Sequence, residues 1–314
     1  MCPFCKTHNV KKIGFQNKRQ KYLCKSCKKY FQNSLRESLL SDTTWNLYVN
    51  EKRILTSLAR EQHVTVRTIQ NRIDAHLDKI FITNLEKQKQ LQPGPVVLVV
   101  DTMYYAGRSR GVMVARDVHR CRTIGRRYVR SENLTDLSHL INGLMKAGWE
   151  IQALVVDGRR GVFQLFPHLP IQMCQFHQMQ IVTRYLTTRP VREEAKELRQ
   201  IALQIPTLTE VQYTQLLQQW QRTHELFLKE KTTDPLTKKW HYTHRKVRSA
   251  FFSMRRNTPP YLFTFQKDEY QGLQIPNTTN AGDGFFSQLR DHLRIHRGLR
   301  RMKMVKLIET VLWS

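Results

Sequence analysis

Val96-Val97-Leu98-Val99-Val100-Asp101 is an unbroken apolar run that closes on a carboxylate, and Ile151-Gln152-Ala153-Leu154-Val155-Val156-Asp157-Gly158 repeats the design. Short apolar runs without alternation mark strands buried on both faces, as in a sheet covered by helices. Between the two runs, 110–116 and 122–130 alternate well enough to be two more strands, and 135–146 carries Leu137, Leu140, Ile141 and Leu144 at helical spacing. The expectation is an α/β domain. A single Asp after a strand is usually a turn former or a helix cap. Two of them, each delivered by a buried strand, read as metal ligands, because sites on open α/β sheets lie beyond the carboxyl ends of the strands.

Upstream of the first run the chain is polar and then broken by Pro and Gly, Glu86-Lys87-Gln88-Lys89-Gln90-Leu91-Gln92-Pro93-Gly94-Pro95, which places a domain boundary near residue 92. Before it, Ile54, Leu55, Leu58 and Ala59 recur at helical spacing, Glu61-Gln62-His63 interrupts, and 65–73 resumes the period. This reads as a helix-turn-helix, whose second helix would offer Thr65, Arg67, Thr68, Gln70, Asn71 and Arg72 to DNA; a plain helical hairpin is the competing account. At the N-terminus stand Cys2-x2-Cys5 and Cys24-x2-Cys27, with 18 residues between the pairs. That is zinc-ribbon spacing: each pair turns two thiolates toward one tetrahedral ion, and four thiolates leave no open position for chemistry. Disulfides or free thiols are the alternatives.

The whole chain of 314 residues carries 52 Lys and Arg against 25 Asp and Glu, a surplus of +27. A solvated surface mixes both signs and needs a net charge of only about 2 to 8 in a small domain. The surplus therefore points to a polyanion, nucleic acid first, since each cation set against a phosphate releases a counterion. With 40% hydrophobic residues the chain can bury cores, which excludes wholesale disorder. It holds no apolar run of about 18 residues and no export signal at its start, and is expected to be cytoplasmic with no membrane contact.

Downstream, Cys174-Gln175-Phe176-His177 is half a zinc site with no second half in reach. The stretches 191–204, 210–228 and 240–254 read as helices, and Arg245, Lys246, Arg248, Arg255 and Arg256 lie in or beside the last. Residues 293–312 also show helical spacing, with a basic run from His292 to Lys303 at its start. Cys121 reads as a strand residue, and Asp291 and Glu309 as surface residues of helices.

Four pieces in this order carry a likeness to a family: Val99-Val100-Asp101, Val155-Val156-Asp157-Gly158-Arg159-Arg160-Gly161, Cys174-Gln175-Phe176-His177, and Asn277-Thr278-Thr279-Asn280-Ala281-Gly282-Asp283-Gly284-Phe285-Phe286-Ser287-Gln288-Leu289. Along nearly its whole length the chain resembles DDE transposases of the Mutator-like group, in the variant with an N-terminal zinc-binding region. The resemblance implies an RNase H-like mixed sheet with a helical insertion, preceded by a zinc ribbon and a helix-turn-helix. The implied layout is a ribbon over 1–34, a helix-turn-helix over 40–85, a first part of the catalytic core over 95–185, a helical insertion over 186–270, and a core helix over 271–314.

The resemblance further implies Asp101, Asp157 and Asp283 as catalytic ligands of Mg²⁺ or Mn²⁺, and Cys174 with His177 as support for the active site. Zn²⁺ is expected on Cys2, Cys5, Cys24 and Cys27. The sequence departs from the family at Asp283, where a Glu is usual. The expected activity is metal-dependent cleavage and strand transfer of DNA at the terminal repeats of an insertion sequence. Partners would be transposon ends and target DNA, bound by a homodimer or higher multimer in a bacterial cytoplasm, at the nucleoid. Two alternatives stand beside it: a catalytically inactive, sequence-specific DNA-binding relative, and an RNA-binding or transcription-accessory protein. The last leaves both strand-end aspartates unexplained.

Overall fold

A computed structural model describes residues 1–314 apart from 17–18, 33–34, 106–108, 160, 258–260, 296–300 and 314, and the side chains of 19, 35–41, 280–285, 288 and 295 also stand outside the description. The chain divides into two units, one formed by 1–87 with 295–312, the other by 88–294 with Trp313.

The first unit opens with an antiparallel sheet of three strands, β1 (Val10–Gln16), β2 (Arg19–Cys24) and β3 (Tyr30–Gln32). Its apolar content is small: Tyr22 stacks on Phe31 at 5.4 Å, and Cys2 and Cys24 are buried. A sheet this size cannot support itself on burial and needs a cross-link. Helices α1 (Leu35–Val49), α2 (Leu55–Glu61) and α3 (Val66–Lys89) follow, and α12 (Arg301–Leu312) joins them. Helix α3 takes in Glu86-Lys87-Gln88-Lys89, read as linker from sequence; all four are good helix formers, so the helix runs on until Pro93 approaches. Lys303 pairs with Asp74 at 2.5 Å, Lys306 with Asp78, and the Asn84 amide donates to the Glu309 and Thr310 carbonyls at 3.4 Å. Glu309, expected on a helix surface, is 2% exposed.

The second unit is built on β4 (Pro95–Tyr104), β5 (Gly111–Asp117), β6 (Arg122–Val129), α4 (Leu134–Lys146), β7 (Glu150–Val156), α5 (Val162–Leu165), β8 (Ile171–Met173) and α6 (Gln175–Leu186). The sheet order is β6-β5-β4-β7-β8; β5 runs antiparallel to both neighbours, while β4, β7 and β8 are parallel. Both apolar runs are thus central strands. Val96, Leu98 and Val100 face Leu137, Ile141 and Leu144 of α4, whereas Val97 and Val99 join Ala153, Val155 and Ile275 on the opposite side. Burial on two faces is the reason these strands show no polar alternation. Helix α4 starts where the Asn133 side chain accepts from the Asp136 amide at 2.8 Å. Cys121 is a hairpin-turn residue with φ +48, exposed, and not a strand residue.

The insertion holds α7 (Glu193–Gln204), α8 (Glu210–Thr223), α9 (Glu225–Lys229), a hairpin of β9 (Lys231–Thr233) and β10 (Trp240–Tyr242), and α10 (Arg245–Asn257). The helix expected over 210–228 breaks at His224, and the one expected over 240–254 begins as a strand. Thr232, Thr233, Trp240 and Tyr242 are β-formers, and Lys231 Nζ lies 4.1 Å above the Trp240 ring across the hairpin. Tyr213, Trp220, Phe251 and Phe263 fill a core that also takes Val182 and Leu186 from α6. Helix α11 (Asn280–Ile295) ends the unit, so the helical pattern expected over 293–312 is two helices, with 296–300 outside the described residues. Among the described residues no helix is long and apolar enough to cross a membrane.

Candidate functional site

Two sites emerge, one from cysteines and one from strand ends. The thiols of Cys2, Cys5, Cys24 and Cys27 all lie within 4.8 Å of one another, with Cys5 to Cys24 at 3.5 Å and Cys2 to Cys27 at 3.7 Å. Zinc–sulfur bonds of about 2.3 Å give a tetrahedral edge near 3.8 Å, so the cluster fits that ion. The two knuckles repeat each other. The Phe4 amide donates to Cys2 Sγ at 3.4 Å and the Cys27 amide to Cys24 Sγ at 3.5 Å, and Lys6 and Lys28 both take φ of 57 just past the second cysteine. Such amides stabilise thiolates and aim them at a metal.

The second site sits on β4 and β7. Val97 pairs with Ala153 and Val99 with Val155, so the register carried two residues further sets Asp101 beside Asp157. Both then share the pleat face of Val97, Val99, Ala153 and Val155, on adjacent parallel strands about 4.8 Å apart. Local bonds hold the backbone there: Asp101 Oδ1 accepts from the Thr102 amide at 2.7 Å, and Asp157 Oδ1 from the Arg159 amide at 3.3 Å. The loop after Asp157 has no room to spare. A Cβ on Gly158 would strike buried Met173, and Gly161 takes φ +91 with Leu134 2.6 Å from where its Cβ would lie. The positive φ, with Leu134 close by, explains Gly161 of this loop, while at Gly158 the tip of the Met173 side chain fills the space.

Glu132 is the residue that the sequence reading missed. It precedes α4 in a polar turn, Ser131-Glu132-Asn133, which reads as ordinary capping chemistry. In the fold it bridges the two strand ends. The Thr102 hydroxyl donates to Glu132 Oε1 at 3.2 Å, the Glu132 amide donates to Tyr104 Oη at 2.8 Å, and Arg159 donates to the Glu132 carbonyl with its guanidinium 3.6 Å from Oε2. Burial first, and then the charge of Asp157 and more weakly of Asp101, push the Glu132 carboxyl up to about 7 against the pull of Arg159 and Thr102. A carboxyl raised on folding contributes stability that is full below its unfolded value, about 4.3, and is lost as pH rises through about 7. Glu132→Gln therefore melts higher than wild type at pH 8 by about 3 °C or more and no higher at pH 4.5, read by thermal denaturation at both values. An unchanged melting point at pH 8 contradicts the placement.

Across from these carboxylates stands the start of α6. Cys174 forms its N-terminal boundary, and the Cys174 amide donates to the Val156 carbonyl at 2.8 Å, next to Asp157. The Cys174 thiol beside His177 pulls the imidazole up to about 9, against burial, with Asp101 and Asp157 adding to the pull. Burial pushes the Cys174 thiol up, but His177 and the Thr279 hydroxyl outweigh it and its net direction is down. Both aspartates thus add to a pull on His177 toward its charged form. Its Nδ1 is buried and has no hydrogen-bond partner among the described residues.

Cys174 also straps the entry to α11. Thr279 N–H donates to Cys174 Sγ at 3.3 Å, Gln175 N–H donates to the Asn277 carbonyl at 2.9 Å, and the Asn277 side chain returns a bond to Gln175 at 3.0 Å. The backbone of Asp283 belongs to the first turn of α11, just past this strap; its side chain lies outside the described residues. Asp291 pairs with Arg294 at 3.5 Å on the helix surface.

In the first unit, α2 and α3 flank a turn in which His63 takes φ +49 and Thr65 Oγ1 accepts from the Thr68 amide at 3.1 Å. Ile69 and Ile73 are buried, which leaves Thr65, Arg67 and Asn71 exposed and Thr68 and Gln70 half-buried. Arg72 is half-buried too and donates to the Gln62 side chain at 2.5 Å, across the turn. Of the candidates, Arg67 and Asn71, four residues apart, present the most open polar stripe.

No protein-family model matches this chain, and no curated protein matches it.

Proposed function

We propose that this chain is a metal-dependent DNA-cutting and DNA-joining enzyme of the transposase type, with Asp101 and Asp157 as its metal ligands. The observation that carries the reading is the register of parallel β4 and β7, which, carried two residues past its last pair of Val99 with Val155, brings Asp101 within β4 beside Asp157 just after β7. The strand order supports an RNase H-like core: three antiparallel strands in sequence, then two parallel strands added beside the first. Hard carboxylate oxygens suit Mg²⁺ or Mn²⁺. Two such ions, when bound, supply Lewis-acid stabilisation to the attacking and leaving oxygens of an in-line phosphoryl displacement.

The chain's own residues prepare that chemistry. Asp101 and Asp157 present oxygen donors, and Asp283, at the start of α11, is the third donor of this reading. Glu132 and Arg159 tie the Asp157 loop to β4 and fix the spacing of the two carboxylates. His177, paired with Cys174, adds positive charge near the two aspartates. The zinc ribbon and the α2–α3 pair would hold DNA, with Arg67 and Asn71 toward base edges and the +27 surplus drawing the phosphates.

Metal binding tests the site apart from turnover. Calorimetric titration of the zinc-loaded protein with Mn²⁺ is expected to show saturable binding that Asp101→Asn and Asp157→Asn each weaken at least about tenfold. Equal binding by wild type and both variants removes the metal site. Binding to duplex DNA is expected to fall steeply with salt, in proportion to the phosphates contacted.

A further inference from the structure

The insertion carries a cavity that neither the strand-end site nor the helix-turn-helix uses. It has a volume of about 400 Å³ and lies between α6, β10 and α10, lined by Tyr185, Tyr242, Arg245, Arg248, Ser249, Phe252 and Arg256. Four of these, Arg245, Ser249, Phe252 and Arg256, follow one another on α10 at steps of three or four residues and so form one stripe. The stripe lies opposite Val247, Ala250, Phe251 and Met254, which are buried in the insertion core. Nothing about holding the fold together requires an Arg and Phe stripe on the outer face.

Each part has a separate job. Arg248 is built in: its guanidinium sits 3.5 Å from the Tyr242 ring centre and 5.2 Å from that of Phe252, and it donates to the Leu228 carbonyl. It forms a charged, immobile floor. Arg245 and Arg256 are exposed and stand about 16 Å apart along the helix, at the two ends of the cavity. Between them Phe252, 39% exposed, and Tyr185, 37% exposed, leave ring surface open to solvent. No Asp or Glu lines the cavity among the described residues. Beside it, Trp240 is 57% exposed with Lys231 over its face, which extends the same alternation of ring and cation onto the hairpin.

From this arrangement we infer that the Tyr185–Phe252–Arg248 cavity binds an unstacked nucleotide of single-stranded nucleic acid, with a base against the aromatic rings and flanking phosphates on Arg245 and Arg256. A flat, open ring is what a base offers and accepts, since every base has a π-face, and cations tracking the backbone complete the site. Duplex DNA fits worse, because its bases are stacked and paired and show their faces to no side chain. An acidic peptide would satisfy the arginines but would leave both rings unused. The inference extends the nucleic-acid reading above and needs no metal chemistry.

The experiment uses the whole 314-residue, zinc-loaded chain and fluorescence anisotropy with a labelled single-stranded oligo-dT and a labelled duplex of the same length. Phe252→Ala and Tyr185→Ala are expected to weaken single-strand binding about tenfold each and to leave duplex binding within about twofold. Arg245→Gln with Arg256→Gln should weaken it further and flatten its salt dependence. Both rings are partly covered, so a melting curve is run for each variant and binding is compared below its transition; Phe252→Tyr, which keeps a ring, should bind as wild type does. The inference is overturned if the Ala variants bind single strands as wild type does, if both substrates lose affinity alike, or if an acidic peptide displaces the oligonucleotide only from the wild-type pocket. Single-strand binding must persist in buffer without Mg²⁺ or Mn²⁺, where the proposed catalytic site holds no ion. That arm separates this site from the proposed catalytic one, since a chain that never cuts DNA can still pass every test here.

Discussion

Asp157→Asn and Asp101→Asn are each expected to lower Mg²⁺-dependent DNA cleavage about a thousandfold or more while leaving DNA binding intact. A metal held against transferring oxygens contributes several kcal/mol to the transition state, and each 1.36 kcal/mol is tenfold in rate. Asparagine keeps the size of the side chain and removes the charge that holds the ion. Both residues are half-exposed, and each accepts from a local backbone amide, a bond that an amide oxygen also accepts. In chelator each substitution relieves Glu132 of a like charge and takes an attraction from His177, and a melting curve reads the balance. Gel assays of nicking, run beside a melting curve, separate the two effects; loss of folding in step with loss of cutting contradicts the assignment.

The second large effect is expected at the cysteine cluster. A structural zinc site contributes about 10 to 16 kcal/mol of apparent binding free energy, which in a sheet this poor in apolar contacts is the folding free energy itself. Removing the metal with a strong chelator, or replacing Cys24 by Ser, should unfold roughly the first thirty residues. The α/β unit has its own cores and should persist. Elemental analysis is expected to return one zinc per chain, and amide exchange to show lost protection in β1 to β3 alone. A metal-free protein with protected amides in β2 would contradict it.

Much of this was legible in the sequence where one physical signal dominates. The runs ending at Asp101 and Asp157 announce doubly covered strands because burial on both faces suppresses alternation, and β4 and β7 lie at the sheet centre. The cysteine spacing is equally direct, since two knuckles on one ion leave few geometries. Glu132 was not legible. Its approach to both aspartates depends on β6 returning two strands away from β4 and three from β7, with the turn before α4 reaching back to Thr102 and Arg159, a long-range pairing that no local pattern encodes. The hairpin of β9 and β10 is hidden for a related reason: three-residue strands are shorter than one helical period, β9 falls between the expected helices, and the helical pattern of α10 reads back across β10. Helix α3 outran its expected end because polar composition was read as a linker, although Glu, Lys and Gln favour helix.

The most direct test of the central claim is cleavage and strand joining by the wild-type chain on DNA carrying the ends that flank its gene, with Mg²⁺, with Mn²⁺ and with chelator. The account predicts cutting at those ends with either metal, none with chelator, and none in Asp101→Asn, Asp157→Asn or Asp283→Asn. Tight binding of the ends without cutting under either metal would contradict it, and recovery of cutting in Asp283→Glu would then identify a DNA-binding relative whose third ligand is one methylene short.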